Sequence, residues 1–309
     1  MTISDFKKGG RILFDLFTQP RESFMTFYRR CFMNNTDDRE YIENMYHIRF
    51  GRRINLDNPR TFNEKLNWLK LYNRQPIYSL MADKYEVKSF VANRIGAEYV
   101  VENYGVYDCW DDIDFDALPS QFVIKGTHDS GGAFVCKDKA TFNYPKVRMA
   151  VEKNLRTNYF YPLREWPYKN IKPRIIVDRF LDDHTGKELR DYKWWCFNGK
   201  PVYMYCTIKG KDIFENFYDM DFNLVNIDHG FPRHQPEFNK PSQFGLMKSL
   251  AEILSEGIPF VRIDFFVVED KVFFGEFTFY DWGGMRPFAE YEQDLWLGEL
   301  IVLPEHVIC

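Results

Sequence analysis

The chain has 309 residues, 45% hydrophobic and 28% charged, with a net charge of −4. That is material for two average soluble domains or one large one, and an acidic balance with no long basic run excludes a nucleic-acid polyanion as partner. With no apolar run of about 20 residues, no recognisable signal peptide and six cysteines lacking any CxxC pair, a cytoplasmic protein with reduced thiols is expected.

Residues 6–17 are mildly basic and amphipathic. They read as a helix packed on the body, with a membrane surface as the alternative. Arg21 to Met33 and Asp37 to Phe50 carry helical patterns with aromatic faces. Thr61 and Glu64 make a capping-box signature that opens a helix bearing Leu66, Trp68, Leu69 and Leu71. Pro76 interrupts the pattern, and a further helix runs from about Ala82 to Ile95, where Gly96 stops it.

Strand signals follow. Glu98 to Val106 is β-rich, and Asp108 to Asp116 is an acidic, solvated connector. Gln121–Lys125 and Ala133–Cys136 are short strands, and between them lies Gly126-Thr127-His128-Asp129-Ser130-Gly131-Gly132. Its glycines would let backbone N–H groups approach phosphate oxygens, and Lys125 adds a point charge. A flexible hairpin loop is the plain alternative, and the spacing does not fit a P-loop. Residues 140–170 read as helix and aromatic loop, and Arg174 to Leu181 as a strand. Asp182 to Glu188 is a turn. Asp191–Phe197 and Pro201–Cys206 form a hairpin around Asn198-Gly199, with Asp191 and Lys193 on one face, placed to touch a ribose and phosphate or simply to make a surface ion pair. Residues 211–240 look loop-rich, and Ser242 to Ser255 helical. No HExxH, Cys/His cluster or Gly-x-Ser-x-Gly appears, which disfavours a zinc site and a serine hydrolase. Helices mixed with antiparallel hairpins indicate an α+β fold and exclude a parallel Rossmann sheet.

The most informative segment is Pro259 to Phe279, two strands joined by a short polar turn. Alternation puts Arg262 with Asp264 on one face and Glu276 with Thr278 on one face. A three-residue loop, Glu269-Asp270-Lys271, sets Asp264 opposite Glu276 with Cβ atoms about 5 Å apart, a like-charge clash that a shared magnesium would relieve. A two-residue loop, Glu269-Asp270, sets Asp264 opposite Gly275 and turns Glu276 away. Solvated carboxylates on a plain hairpin are the bland alternative.

The order of these pieces resembles the ATP-grasp superfamily and, more narrowly, the TupA-like ATP-grasp family of polysaccharide biosynthesis. The resemblance is carried by Phe50-Gly51, Asn58–Lys70, Asp83-Lys84-Tyr85, Leu118–Lys125, Arg164–Lys169, Asp191-Tyr192-Lys193 and Gly275–Phe279, over about residues 45–290. It implies an ATP-grasp fold, two α+β subdomains clamping ATP, behind an N-terminal region shortened or replaced by helices. The expected division is a helical region 1–80, a central subdomain 81–173 and a C-terminal subdomain 174–309. It implies ATP and Mg²⁺ as cofactors. Lys84 and Lys125 would bind the α- and β-phosphates, and Gly126, Thr127, His128, Ser130, Gly131 and Gly132 would belong to a mobile loop over them. Asp178, Phe180 and Leu181 would line the adenine pocket and Asp191 would hold the ribose. Asp264, Glu276 and Thr278 would take the metal, Arg262 would steady the transferring phosphoryl group with Lys125, and Gly283, Gly284 and Arg286 would meet an acidic substrate. In this context the three-residue turn is favoured. Asp178 stands where the superfamily often has Glu, and Thr278 where its metal motif has Asn.

The expected activity is a Mg-ATP-dependent carboxylate–amine ligase acting through an acyl phosphate on a surface-polysaccharide precursor, joining an amine to a uronic acid. Membrane-bound polysaccharide machinery would be a peripheral partner. The alternatives are a glycosyltransferase using a sugar nucleotide, with Asp219-Met220-Asp221 as the nearest approach to a DxD motif, and a nucleotide-binding module without catalysis.

Overall fold

The computed structural model describes residues 20–182, 189–209, 213–235 and 237–305. The amphipathic stretch 6–17, most of the turn 182–188 and Cys309 lie outside them. Among the described residues no helix is long and apolar enough to cross a membrane, and the five described cysteines are unpaired thiols.

Two antiparallel sheets organise the chain. The smaller has the order β1–β4–β2–β3, from β1 (Asn103–Tyr107), β2 (Phe122–Gly126), β3 (Phe134–Cys136) and β4 (Ile175–Arg179). The larger has the order β10–β9–β5–β6–β7–β8, from β5 (Asp191–Phe197), β6 (Lys200–Lys209), β7 (Ile213–Tyr218), β8 (Leu224–Val225), β9 (Phe260–Val268) and β10 (Lys271–Thr278). With its helical N-terminal part this is the expected α+β class.

The larger sheet has two unlike faces, as strand alternation requires. One carries Trp194, Met204, Ile263 and Phe265 and packs on the helix Phe244–Ser255; Trp194 and Phe244 ring centroids are 5.0 Å apart. The other carries, in register across neighbouring strands, Glu276, Asp264, Lys193 and Tyr205. The smaller sheet has its own core around Phe122, Ile124, Val147 and Val177.

Several local expectations change. The Thr61–Glu64 capping box forms and starts the helix Phe62–Tyr72. Pro76 does not merely break that helix: it opens a short one, Pro76–Ala82, at a first-turn position where a missing N–H costs nothing. The next helix then starts late, at Glu86, leaving Asp83 and Lys84 in the gap between the two. Residues 211–240 are less loop-like than their polarity suggests, because β7 and β8 extend the large sheet there.

The turn between β9 and β10 is the main correction. It has two residues, not three: Val268 pairs with Lys271, and Glu269 and Asp270 are both left-handed, with φ of 49° and 59°, the geometry of a tight hairpin turn. That register should set Asp264 against Gly275. Instead the ladder shifts by one residue between Phe274 and Glu276, and Glu276 pairs with Asp264 after all. Gly275 is the bulged residue. A Cβ there would lie 3.0 Å from the Asp264 carbonyl oxygen and 3.0 Å from the Phe266 ring. Gly275→Ala should therefore cost about 1–3 kcal/mol through overpacking against backbone, read from a chemical denaturation curve, and turn Glu276 off the face it shares with Asp264.

Candidate active site

A cavity of about 770 Å³ opens between the two sheets. Its floor is the polar face of β9 and β10, with Asp264, Gly275 and Glu276, and its walls come from Lys84, Lys88, Lys125 and Asp178. Val100, Val101, Val123, Phe180, Leu181 and Leu189 are among its apolar lining. Gly131, Gly132 and Ala133 rim it.

Each lysine is placed by a different piece of backbone and held by a carboxylate. Lys84 sits in the gap between helices, where its N–H donates to the Thr127 carbonyl at 2.9 Å. Its Nζ reaches Asp129 Oδ1 at 2.8 Å and also the Asp129 carbonyl. Lys88, one helical turn later, lies 3.0 Å from Asp178 Oδ1 and donates to the Val101 carbonyl at 2.6 Å. Burial pushes its pKa down, although Asp178 opposes the shift. Lys125 Nζ donates to the other Asp178 oxygen at 3.1 Å. Asp178 is thus an internal counter-ion for two lysines, a role its position on a wall strand did not disclose.

The glycine loop divides in two. Thr127, His128 and Asp129 are buried: the Thr127 N–H donates to Arg174 O at 2.9 Å, and His128 Nε2 lies 3.0 Å from Asn154 O. Gly126 is needed for closeness, since a Cβ would sit 2.9 Å from Asp129 Oδ2. Only Ser130 to Ala133 is exposed, with Gly131 and Gly132 at φ of 94° and 91°, a conformation suited to glycine. Gly126, Thr127, His128 and Ser130 do not line the cavity.

At the carboxylate pair, Arg262 resolves the like-charge clash. Its Nε and Nη2 grip Asp264 at 2.7 and 2.8 Å. Nη2 also reaches Glu276 Oε1 at 3.0 Å, and Nη1 donates to Asp281 Oδ1 at 2.7 Å. Burial opposes the Arg262 charge, but Asp264, Tyr205 and Asp281 around it drive its pKa up. Burial raises the Asp264 carboxyl, against the pull of Arg262 and Lys193. Glu276 is 42% exposed, and Thr278 Oγ1 donates to its Oε1 at 3.3 Å. Thr278 therefore braces Glu276 and does not itself line the cavity. Lys193 pairs with Asp191 at 2.8 Å and lies 3.8 Å from Asp264. Among the described residues no three metal-ligating side chains converge. Asp264 and Glu276 are two hard-oxygen donors facing a lysine-lined cavity, the donor set magnesium takes when phosphate and water complete its shell.

Beyond β10 the chain makes a turn with Trp282, Gly283 and Gly284 all left-handed. A Cβ on Gly283 would clash with Leu163 Cδ1. Asn63, Asn67 and Lys70 share one buried face of the helix Phe62–Tyr72 and hold this turn. Asn63 donates to Arg286 O at 3.0 Å, Asn67 to Gly284 O at 2.8 Å, and Lys70 to Gly283 O. The Arg286 guanidinium lies over the rings of Phe231 (3.9 Å) and Trp282 (4.3 Å), and burial lowers its pKa. Sequence reading also missed Glu165. Burial pushes its carboxyl up to about 7, with Lys70 opposing and Asp281 reinforcing, and burial brings the Lys70 amine down to about 7. Asp219 and Asp221, by contrast, sit in an exposed turn where Asp219 accepts from its own loop, and neither lines the cavity.

Residues 64–302 match the family described as TupA-like ATPgrasp. No curated protein matches the chain in sequence. Among solved structures it is similar to D-alanine–D-alanine ligase from Bacillus anthracis complexed with ATP, at 12% identity and a TM-score of 0.39 over 64% of this chain and 55% of that one. It is also similar to the ATP-grasp ligase PsnB with minimal precursor, Mg and ADP (12% identity, TM-score 0.36, 74% and 60%). A third is the ADP complex of PurK, N5-carboxyaminoimidazole ribonucleotide synthetase (13%, 0.43, 82% and 58%). The chain spans 55–60% of the length of these three.

Proposed function

The chain belongs to the TupA-like ATP-grasp family, and we propose that it is a Mg-ATP-dependent ligase that activates a carboxylate and passes it to an amine. The observation that carries this reading is the meeting of Lys84, Lys88 and Lys125 with the Asp264/Glu276 pair around one cavity that also has apolar lining.

A carboxylate is a poor electrophile. Transfer of the terminal phosphoryl group of ATP to its oxygen makes an acyl phosphate; the amine nitrogen then forms the new bond to the acyl carbon as the bond to phosphate breaks, and the nitrogen gives up one proton. Phosphoryl transfer depends on positioning and charge neutralisation. Lys84 and Lys125 would turn from Asp129 and Asp178 to the α- and β-phosphates, beneath the loop tip 130–133. Phe180 and Leu181 would flank the adenine and Asp191 the ribose. Asp264 and Glu276 would hold magnesium, which when bound supplies positive charge to the phosphate oxygens. Arg262 would steady the transferring group. Glu165, whose carboxyl is raised by burial and which lies within electrostatic reach of Arg262 and Glu276, is the candidate base for the amine proton. Arg286 and the Gly283-Gly284 turn would meet an acidic substrate, here a uronic acid of a surface-polysaccharide precursor, in the cytoplasm.

The test is ADP release from Mg-ATP with panels of uronic acids and amines. Release only when both are present supports the ligase; preferential binding of a nucleotide sugar sinks it. Lys125→Met should weaken Mg-ADP binding about 10- to 100-fold, the loss expected for a charge-assisted contact, measured by calorimetry.

A further inference from the structure

A line of buried polar side chains runs from Arg262 away from the cavity. Asp281 Oδ1 accepts from Arg262 Nη1 at 2.7 Å. Asp281 Oδ2 lies 3.7 Å from His229 Nε2, and His229 Nδ1 lies 3.5 Å from Glu215 Oε2. The three side chains are at most 4% exposed. Asp281 Oδ2, His229 Nδ1 and Glu215 Oε2 make no hydrogen bond of good geometry, so the imidazole is the polar neighbour that each carboxylate has at those atoms. Packing fixes its plane: the ring stacks on Phe288 at 5.3 Å and meets Trp195 edge-on at 5.5 Å. Tyr205 donates to Asp281 Oδ1 at 3.4 Å and Thr207 to Glu215 Oε1 at 3.5 Å, which completes the surroundings of both carboxylates together with the nearby Arg286 charge.

Arg262 has every guanidinium nitrogen engaged, two on the Asp264/Glu276 side and one on Asp281. A phosphoryl group arriving at the carboxylate pair competes for the first two. On the far side Asp281 is the charged anchor, at 2.7 Å from Nη1, with the Tyr205 hydroxyl a longer 3.5 Å from the same nitrogen, and Asp281 begins the left-handed turn at Trp282. We propose that His229, backed by Glu215, is a positioning residue that fixes Asp281 against Arg262 Nη1, so that the rest of the fork stays aimed at the terminal phosphate. This rests on the nucleotide reading above.

The probes are Mg-AMPPNP, which has a terminal phosphate analogue, and Mg-ADP, which lacks it. The parent protein should prefer Mg-AMPPNP. His229→Phe should cut that preference about tenfold, the scale of a lost contact to a charged group, without changing Mg-ADP affinity. His229→Gln, which keeps an N–H for Asp281, should restore it. Asp281→Asn should repeat the loss and stands in if His229→Phe does not fold. If Arg262→Lys erases the preference but His229→Phe and Asp281→Asn keep it, the positioning role is overturned while the nucleotide reading stands. An equal loss for both nucleotides would mean a general packing role and also overturns it. No nucleotide binding by the parent overturns the underlying reading and this inference with it.

Discussion

Asp264→Asn and Glu276→Gln will each lower ATP-dependent turnover by about 100-fold or more, the scale on which removing one preorganised charge from a reacting site acts. Both changes keep shape and delete charge. Glu276 is 42% exposed and bonded only along its edge by Arg262 and Thr278, so its loss should leave the fold near the parent's stability while removing a metal donor. Asp264 is buried and holds two Arg262 nitrogens, so its variant should lose turnover and some stability together. Initial rates of ADP release at saturating magnesium, with a denaturation curve for each variant, separate the two effects. If neither variant loses turnover, the carboxylate pair is not the metal site.

Arg262→Met should be the most destabilising single change in the site, by about 3–5 kcal/mol, because it strands buried carboxylates without their cation. Asp281 has a side chain 0% exposed and Asp264 one 6% exposed, and both pair with this arginine. The deficit should shrink in acid. Burial already raises the Asp264 carboxyl with the arginine present. Without it the folded variant holds a proton on Asp264 that the unfolded chain has released, so lowering the pH toward the raised folded pKa of Asp264 favours the folded state. Urea unfolding of parent and variant at neutral pH and again near pH 5 should show the gap narrowing; a gap that widens would mean that these carboxylates are not what the arginine neutralises.

The α+β class and the shared face of Asp264 and Glu276 were legible because alternation in Arg262–Asp264 and Glu276–Thr278 is a local property. The turn was not. Glu269-Asp270 lacks the glycine that usually marks a two-residue loop, and the compensating bulge rests on a single Gly275 whose role appears only against the Asp264 backbone. Counting residues gave the right pairing through the wrong turn, since one error in the loop and one unseen bulge cancel. Lys84 and Lys125 could be singled out beside Asp83 and the glycine loop, but their counter-ions could not. Asp129 and Asp178 reach them across the fold, 45 and 53 residues away. Asn63, Asn67 and Lys70 did carry a readable signal, polar residues at i, i+4 and i+7 on an otherwise apolar helix face. What that face holds, the turn at Gly283, lies more than 200 residues downstream. His229, Asp281 and Glu215 come together only through the order of the large sheet.

The most direct test of the nucleotide site is a calorimetric titration of the parent, Glu276→Gln and Lys125→Met with ADP, with ATP and with a nucleotide sugar, each with and without magnesium. Magnesium-dependent binding of ADP and ATP, weakened in both variants and stronger than binding of the nucleotide sugar, is the expected result. Binding of the nucleotide sugar in preference to ATP, or ATP affinity indifferent to magnesium and to both substitutions, would contradict it.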